Sequence, residues 1–185
     1  MNNTSRLIEI LERSPKSKGI SPLIKLAESE SNLDIIKQLE MLTGVWELRW
    51  SSSKSPLLNY SPLLDNLQIL DLKNHRGLNF LRPKGLLGKL LSTSILSNLD
   101  IIDQKRINVT FKETGIIGPQ LFGKNIAFFL EIKKTQMGWL DTTVLTDKLR
   151  VCWGYKGTAF ALLKRTDCSI IDFFLIQSFI KYVYL

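Results

Sequence analysis

The carboxylates, thiols and single imidazole are the side chains here that could do acid–base or nucleophilic chemistry. Glu131, Asp141 and Asp147 fall in one stretch, and two carboxylates across a cleft can divide acid and base work in a hydrolysis. Nothing in their spacing sets such a separation. Asp141 and Asp147 flank a turn or strand end, where an Asp serves local hydrogen bonding. His75 is the one histidine, in the turn-like run Lys73-Asn74-His75-Arg76-Gly77. One His builds no multi-His metal site, and no Ser or Cys nucleophile stands beside a partner base. Cys152 and Cys168 lack metal-ligand spacing and are too few for a disulfide framework, which fits a reducing compartment. Cys152 reads either as a small buried hydrophobe or as a thiol for attaching a bilin-type chromophore. No catalytic residue, no metal site and no cofactor is expected.

The elements that position these residues belong to a chain of 185 residues, with 25 Lys+Arg against 17 Asp+Glu and a net charge of +8. That length makes one domain. A hydrophobic fraction of 44% with 23% charge excludes disordered, collagen-like and disulfide-stapled classes. A basic surface serves nucleic acid, anionic lipid or solubility. The cations are scattered, the closest runs being Lys16/Lys18, Lys133-Lys134 and Lys164-Arg165, and no nucleic-acid motif accompanies them. Nucleic acid is therefore not an expected partner. Met1 to Ser5 leads into a helical pattern without a signal-peptide or transit-peptide composition, so secretion is not expected. The most apolar segment, Ile170 to Leu185, carries Asp172, Gln177 and Lys181 and is a poor membrane span.

Residues 1–42 read as a helical segment. Leu7, Ile8, Ile10 and Leu11 have helical spacing behind Thr4 and Ser5, Pro15 to Pro22 reads as a break, and a second helix is expected from about Asn32 through Leu33, Ile36 and Leu39. From Thr43 the period becomes two: Trp46, Leu48 and Trp50 share one face and Glu47 and Arg49 the other. Further strand-like runs lie at Leu67 to Leu72, Arg106 to Phe111, Ile126 to Ile132, Leu140 to Leu145, Leu149 to Trp153 and Thr158 to Leu163. Many short strands at this spacing mean a barrel or a sandwich. The segment Gly77 to Leu99 resists assignment; with Arg82, Lys84 and Lys89 it suits either a barrel mouth or a membrane surface.

The stretch Gly138-Trp139-Leu140-Asp141-Thr142-Thr143-Val144-Leu145, continuing through Arg150-Val151, Gly154 and Lys156-Gly157 to Phe160-Ala161-Leu162-Leu163-Lys164-Arg165, resembles the C-terminal signature of the plastid lipid-associated protein (PAP)/fibrillin family. Leu42-Thr43-Gly44-Val45-Trp46-Glu47-Leu48 and its Ser cluster resemble that family's Leu-x-Gly-x-Trp strand. The likeness runs over about residues 6–165. Thr146 stands where the family has an acidic residue, and Trp153-Gly154-Tyr155 where it has an Arg-Gly-Asn turn. The resemblance implies an all-β fold: a lipocalin-like antiparallel β-barrel over 43–165, with the N-terminal helical segment 1–42 packed on it. It further implies a non-enzymatic role in binding or organising isoprenoid quinones, carotenoids or other lipids at photosynthetic membranes. With no transit peptide, it implies a cyanobacterial-type member, cytoplasmic and peripheral to the thylakoid. A protein partner in isoprenoid metabolism, with the barrel as a filled scaffold, is the alternative.

A small barrel holds one ligand when its inward residues are apolar. Alternation nominates Trp46, Leu48, Val109, Phe111, Phe128, Leu130, Phe160 and Leu162, as ligand lining or simply as core. Gly44-x-Trp46 and Arg150 resemble the lipocalin arrangement in which an Arg packs across the first-strand Trp. Arg150 is then a structural lock or, with Asp141 or Asp147 as partner, a holder of the ligand's polar head. Anionic membrane contact is expected from the surface charge and from Phe173, Phe174 and Phe179 in the apolar tail 166–185, which the sequence leaves open as an interfacial helix, an added strand or an atypical terminus.

Overall fold

The run Val45-Trp46-Glu47-Leu48 is buried on both of its faces, so the sheet that contains it needs cover within and without. The computed structural model, which describes residues 2–121 and 124–174, meets that need with a closed barrel. Its strands are β1 (Gly44–Ser51), β2 (Leu64–Asp71), β3 (Arg76–Pro83), β4 (Ser92–Ile101), β5 (Arg106–Leu121), β6 (Lys124–Leu145), β7 (Leu149–Gly154) and β8 (Ala159–Arg165). Neighbours in sequence are neighbours in the sheet, and β1 pairs antiparallel with β8 to seal it. A sealed sheet has no unpaired edge.

Two covers protect the outer wall. Helices α1 (Asn3–Arg13) and α2 (Ile20–Ser29) lay Leu7, Leu11, Ile20, Ile24 and Ala27 on Val144, Leu149, Val151 and Ala161 of the last three strands. The Asn2 side chain accepts from the Ser5 amide at 2.8 Å and caps α1. At the other end Arg49 donates to the carbonyls of Leu11 and Glu12, both at 3.0 Å, where a cation also meets the helix dipole. Glu28 anchors α2 by accepting from Thr143 Oγ1 at 2.7 Å and Trp153 Nε1 at 2.6 Å. The second cover is a helical turn over 170–174, whose Phe173 and Phe174 pack on Val45, Leu67, Ile69, Leu78, Phe80 and Ile117.

One end of the barrel is shut by the segment from Leu33 to Leu42, which ends in α3 (Leu39–Leu42) and buries Leu33, Ile35 and Leu42 against the barrel floor. The Ile35 amide donates to the Gln104 carbonyl at 2.9 Å. The opposite end, where the connections 52–63, 84–91 and 155–158 lie, has no such plug.

Several expectations change. The second helix occupies Ile20–Ser29 rather than starting near Asn32; Pro22 sits in its first turn, where a missing N–H costs no hydrogen bond. The unassigned segment holds β3, a leucine-rich 3-10 turn at Gly85–Lys89 and β4. Trp50 leaves the face of Trp46 and Leu48 to pack beside α1 and α2, because the β1–β8 register shifts between Leu48 and Trp50. Phe173 and Phe174, expected at a membrane, are only 7% and 5% exposed: Phe173 meets the Phe80 ring edge-on at 5.3 Å, and Arg76 lies 4.0 Å from the Phe174 ring centre. Residues 170–174 therefore form a helical turn bound to the wall, while Phe179 and the rest of the tail lie outside the described residues. We expect Phe173→Ala to lower unfolding free energy by about 3 kcal/mol in urea titrations, as loss of a buried ring does.

Candidate functional site

Inward residues of the strands leave a cavity of about 520 Å³ opening at the unplugged end. Leu48, Ile95, Val109, Phe111, Phe160 and Leu162 form its apolar wall. Leu57 and Leu58 from the first connection, with Tyr155 and Lys156 from the last, stand at its mouth. The first connection is tied down: Asn66 Nδ2 donates to the Leu57 carbonyl at 2.9 Å, and Asn59 Nδ2 donates to the Ser53 and Ser55 carbonyls at 2.9 and 3.0 Å.

Polar residues line both ends of the cavity, Asn66, Thr93, Lys156 and Thr158 toward the mouth and two amides further in. Gln68 and Asn79, cross-strand partners in β2 and β3, line the cavity and are joined by a 3.2 Å hydrogen bond. Gln68 Oε1 also accepts from Arg150. Arg150 is 1% exposed and its guanidinium carbon lies 5.3 Å from the ring centre of Trp46. Lys164 Nζ stands 5.1 Å from the same tryptophan and donates to the Met41 carbonyl at 2.7 Å. Trp46 Nε1 donates to the Leu42 carbonyl at 2.9 Å. Gly44, at φ 152°, makes room for this: a Cβ there would collide with the Lys164 side chain. The tryptophan thus holds two cations and the plug segment together.

No carboxylate pairs with Arg150 among the described residues, and its Nε has no protein acceptor there. Burial pulls its pKa down from the ordinary guanidinium value, yet an arginine remains charged at neutral pH. Burial likewise lowers Lys164. It pushes the fully buried Cys152 thiol up, against the opposing field of Arg150, so the thiolate needed for covalent attachment is disfavoured.

The other nominated residues divide. Trp46 lies in the core below the cavity rather than on its wall. Phe128 and Leu130 do not line it: they lie on the β5–β6 hairpin past the register break between Phe111 and Glu113, and are 62% and 55% exposed. Asp141 is not a partner of Arg150, because both its oxygens accept from Arg106 at 2.7 Å. Asp147 is exposed in the β6–β7 turn. Glu131 sits ten residues up β6 from Asp141, roughly 30 Å along a strand, so the carboxylates form no pair. His75 occupies a left-handed turn position at φ 52°. Among the described residues no group of three or more His, Cys, Asp or Glu gathers for a metal, and no helix is long and apolar enough to cross a membrane.

Sequence reasoning missed the polar floor and the mouth residues Leu57, Leu58, Tyr155 and Lys156. Gln68 alternates with Leu67 and Ile69, a visible signal that β2 turns a polar residue inward where those two cover the outer wall. The family model PAP_fibrillin matches residues 11–163. No curated protein and no solved structure gives a match.

Arg150→Met should destabilise the ligand-free protein by about 2–3 kcal/mol, roughly 5–10 °C in Tm, by orphaning Gln68 Oε1 and removing one cation from Trp46. Thermal melts of stripped and ligand-loaded protein check this: a drop confined to the loaded form would make Arg150 a head-group residue instead of a lock. Iodoacetamide should leave Cys152 unmodified until the barrel is unfolded, as peptide mass mapping will show.

Proposed function

The chain belongs to the PAP_fibrillin family, and on that footing we propose that it binds one long hydrophobic molecule in the barrel without catalysing a reaction. An isoprenoid quinone, a carotenoid or an acyl lipid at a thylakoid membrane suits the reading, as for a cyanobacterial-type member. The observation that carries it is the apolar cavity of about 520 Å³, open at one end and floored by amides, within the range of small-molecule sites, about 300–1,000 Å³.

Magnitudes favour length over polar recognition. A buried methylene contributes about 0.8 kcal/mol, while association costs on the order of 4–15 kcal/mol. Ten or more methylenes are needed to outweigh that cost, and a short metabolite on this wall would not. The floor of Gln68 and Asn79, reached by Arg150, offers hydrogen bonds to a head group entering first.

A polyene fatty acid that fluoresces in apolar surroundings tests the reading. The protein should take it up at one equivalent, and Val109→Trp with Leu162→Trp, which fill the cavity, should abolish uptake while circular dichroism is retained. Equal uptake by the filled variant would overturn the carrier. A native extract free of any quinone, carotenoid or lipid, with no uptake of the probe, would instead support a filled scaffold for an isoprenoid-quinone biosynthetic enzyme.

A further inference from the structure

The described apolar residues left in solvent concentrate at the mouth of the barrel. Leu57, Leu63, Leu86, Leu87, Leu90 and Leu91 all project from the connections 52–63 and 84–91, with Leu63 and Leu86 74% and 80% exposed. These loops are joined to each other, since the Lys84 amide donates to the Leu63 carbonyl at 2.8 Å. Phe128 and Leu130 are likewise exposed on the β5–β6 hairpin, which, unlike these loops, also carries Glu113 and Glu131. An apolar collar held by its own backbone is a docking surface rather than a fraying edge.

Charge identifies what it docks on. The connections 52–63, 84–91 and 155–158 contain Lys54, Lys84, Lys89 and Lys156 and not one Asp or Glu. Lys84 also leans on Glu47 and Asp65, at 3.5 and 3.7 Å. The plugged end differs in being mixed: Asp103, Asp147, Glu30, Asp34 and Glu40 there offset Lys37, Lys73, Lys105 and Lys148. Loops that carry exposed leucines and lysines and no acid match the acyl boundary and phosphates of an anionic bilayer, where a peripheral apolar face sinks about 5–10 Å. A second copy of the chain would set lysine collar against lysine collar.

We propose that the protein docks mouth-down on an anionic lipid surface through this leucine collar, so that the cavity opens into the acyl layer and its ligand passes between barrel and bilayer without crossing water. The route deepens the lipid-carrier reading and rests on it; the docking stands on the loops alone.

Flotation of the full chain with vesicles of phosphatidylcholine, with or without phosphatidylglycerol, tests the docking. The protein should float with the anionic vesicles, less so at high salt. Leu86→Ser with Leu87→Ser should weaken binding about tenfold or more, with unchanged melting because both side chains are exposed. Ile36→Ser, an exposed apolar residue at the plugged end, should float as wild type. Wild type that stays down with all vesicles, a double variant that floats normally, or equal loss in Ile36→Ser would overturn the proposal. A dimer that the double variant dissociates, with no flotation, would overturn it in favour of self-association. Uptake of the polyene probe in vesicle-free solution reads the carrier separately: its failure with flotation intact counts against the cargo and not against the docking face.

Discussion

Trp46 carries the closed end of this barrel. Its indole nitrogen fixes the plug through the Leu42 carbonyl, while Arg150 and Lys164 stand about its ring. Burying the Arg150 guanidinium without a carboxylate partner is costly, and the aromatic quadrupole is what the fold offers in return. The amide of Gln68 accepts from Arg150 and the carbonyl of Met41 from Lys164. Removing the ring would leave the buried Arg150 without its aromatic partner and the plug unpinned, so the cavity floor and the seat of the segment that closes it depend on it.

A barrel with one plugged end and buried outer walls has little freedom about where a large ligand enters. α1 and α2 seal one flank, the 170–174 turn seals another, and the segment through α3 seals the floor. What stays open is the end with leucine-bearing loops. Stability and access are thereby assigned to opposite ends of the same strands, as in many barrels whose loops carry function on a rigid frame.

Much of this was legible from residues. The Trp46–Leu48 alternation marked β1, the C-terminal motif marked β6 to β8, and Gly44, Trp46 and Arg150 marked the contact of a buried guanidinium with the first-strand indole. The errors have physical causes. Parity counting fails across a bulge, which is how Trp50 came to the outer wall and how Phe128 and Leu130 came to be exposed on the hairpin. Leu86, Leu87, Leu90 and Leu91 drowned the period-two signal of the strands on either side, since exposed leucines on a loop look like core in a linear reading. The aromatic tail looked membrane-seeking because nothing local revealed that the sheet's outer face was itself apolar and in want of Phe173 and Phe174. The cavity was beyond sequence altogether: whether inward side chains meet or leave space depends on barrel diameter.

The seam between β1 and β8 also governs when the molecule can come into being. Seven of the eight sheet pairings join strands adjacent in sequence, but the eighth joins Val45 through Ser51 to Phe160 through Arg165. On a ribosome, β1 emerges more than a hundred residues ahead of its second partner, with one edge unpaired throughout. The nascent sheet therefore remains an open, sticky ribbon until almost its last strand has been synthesised, which makes translation of this chain a window of dependence on holding chaperones.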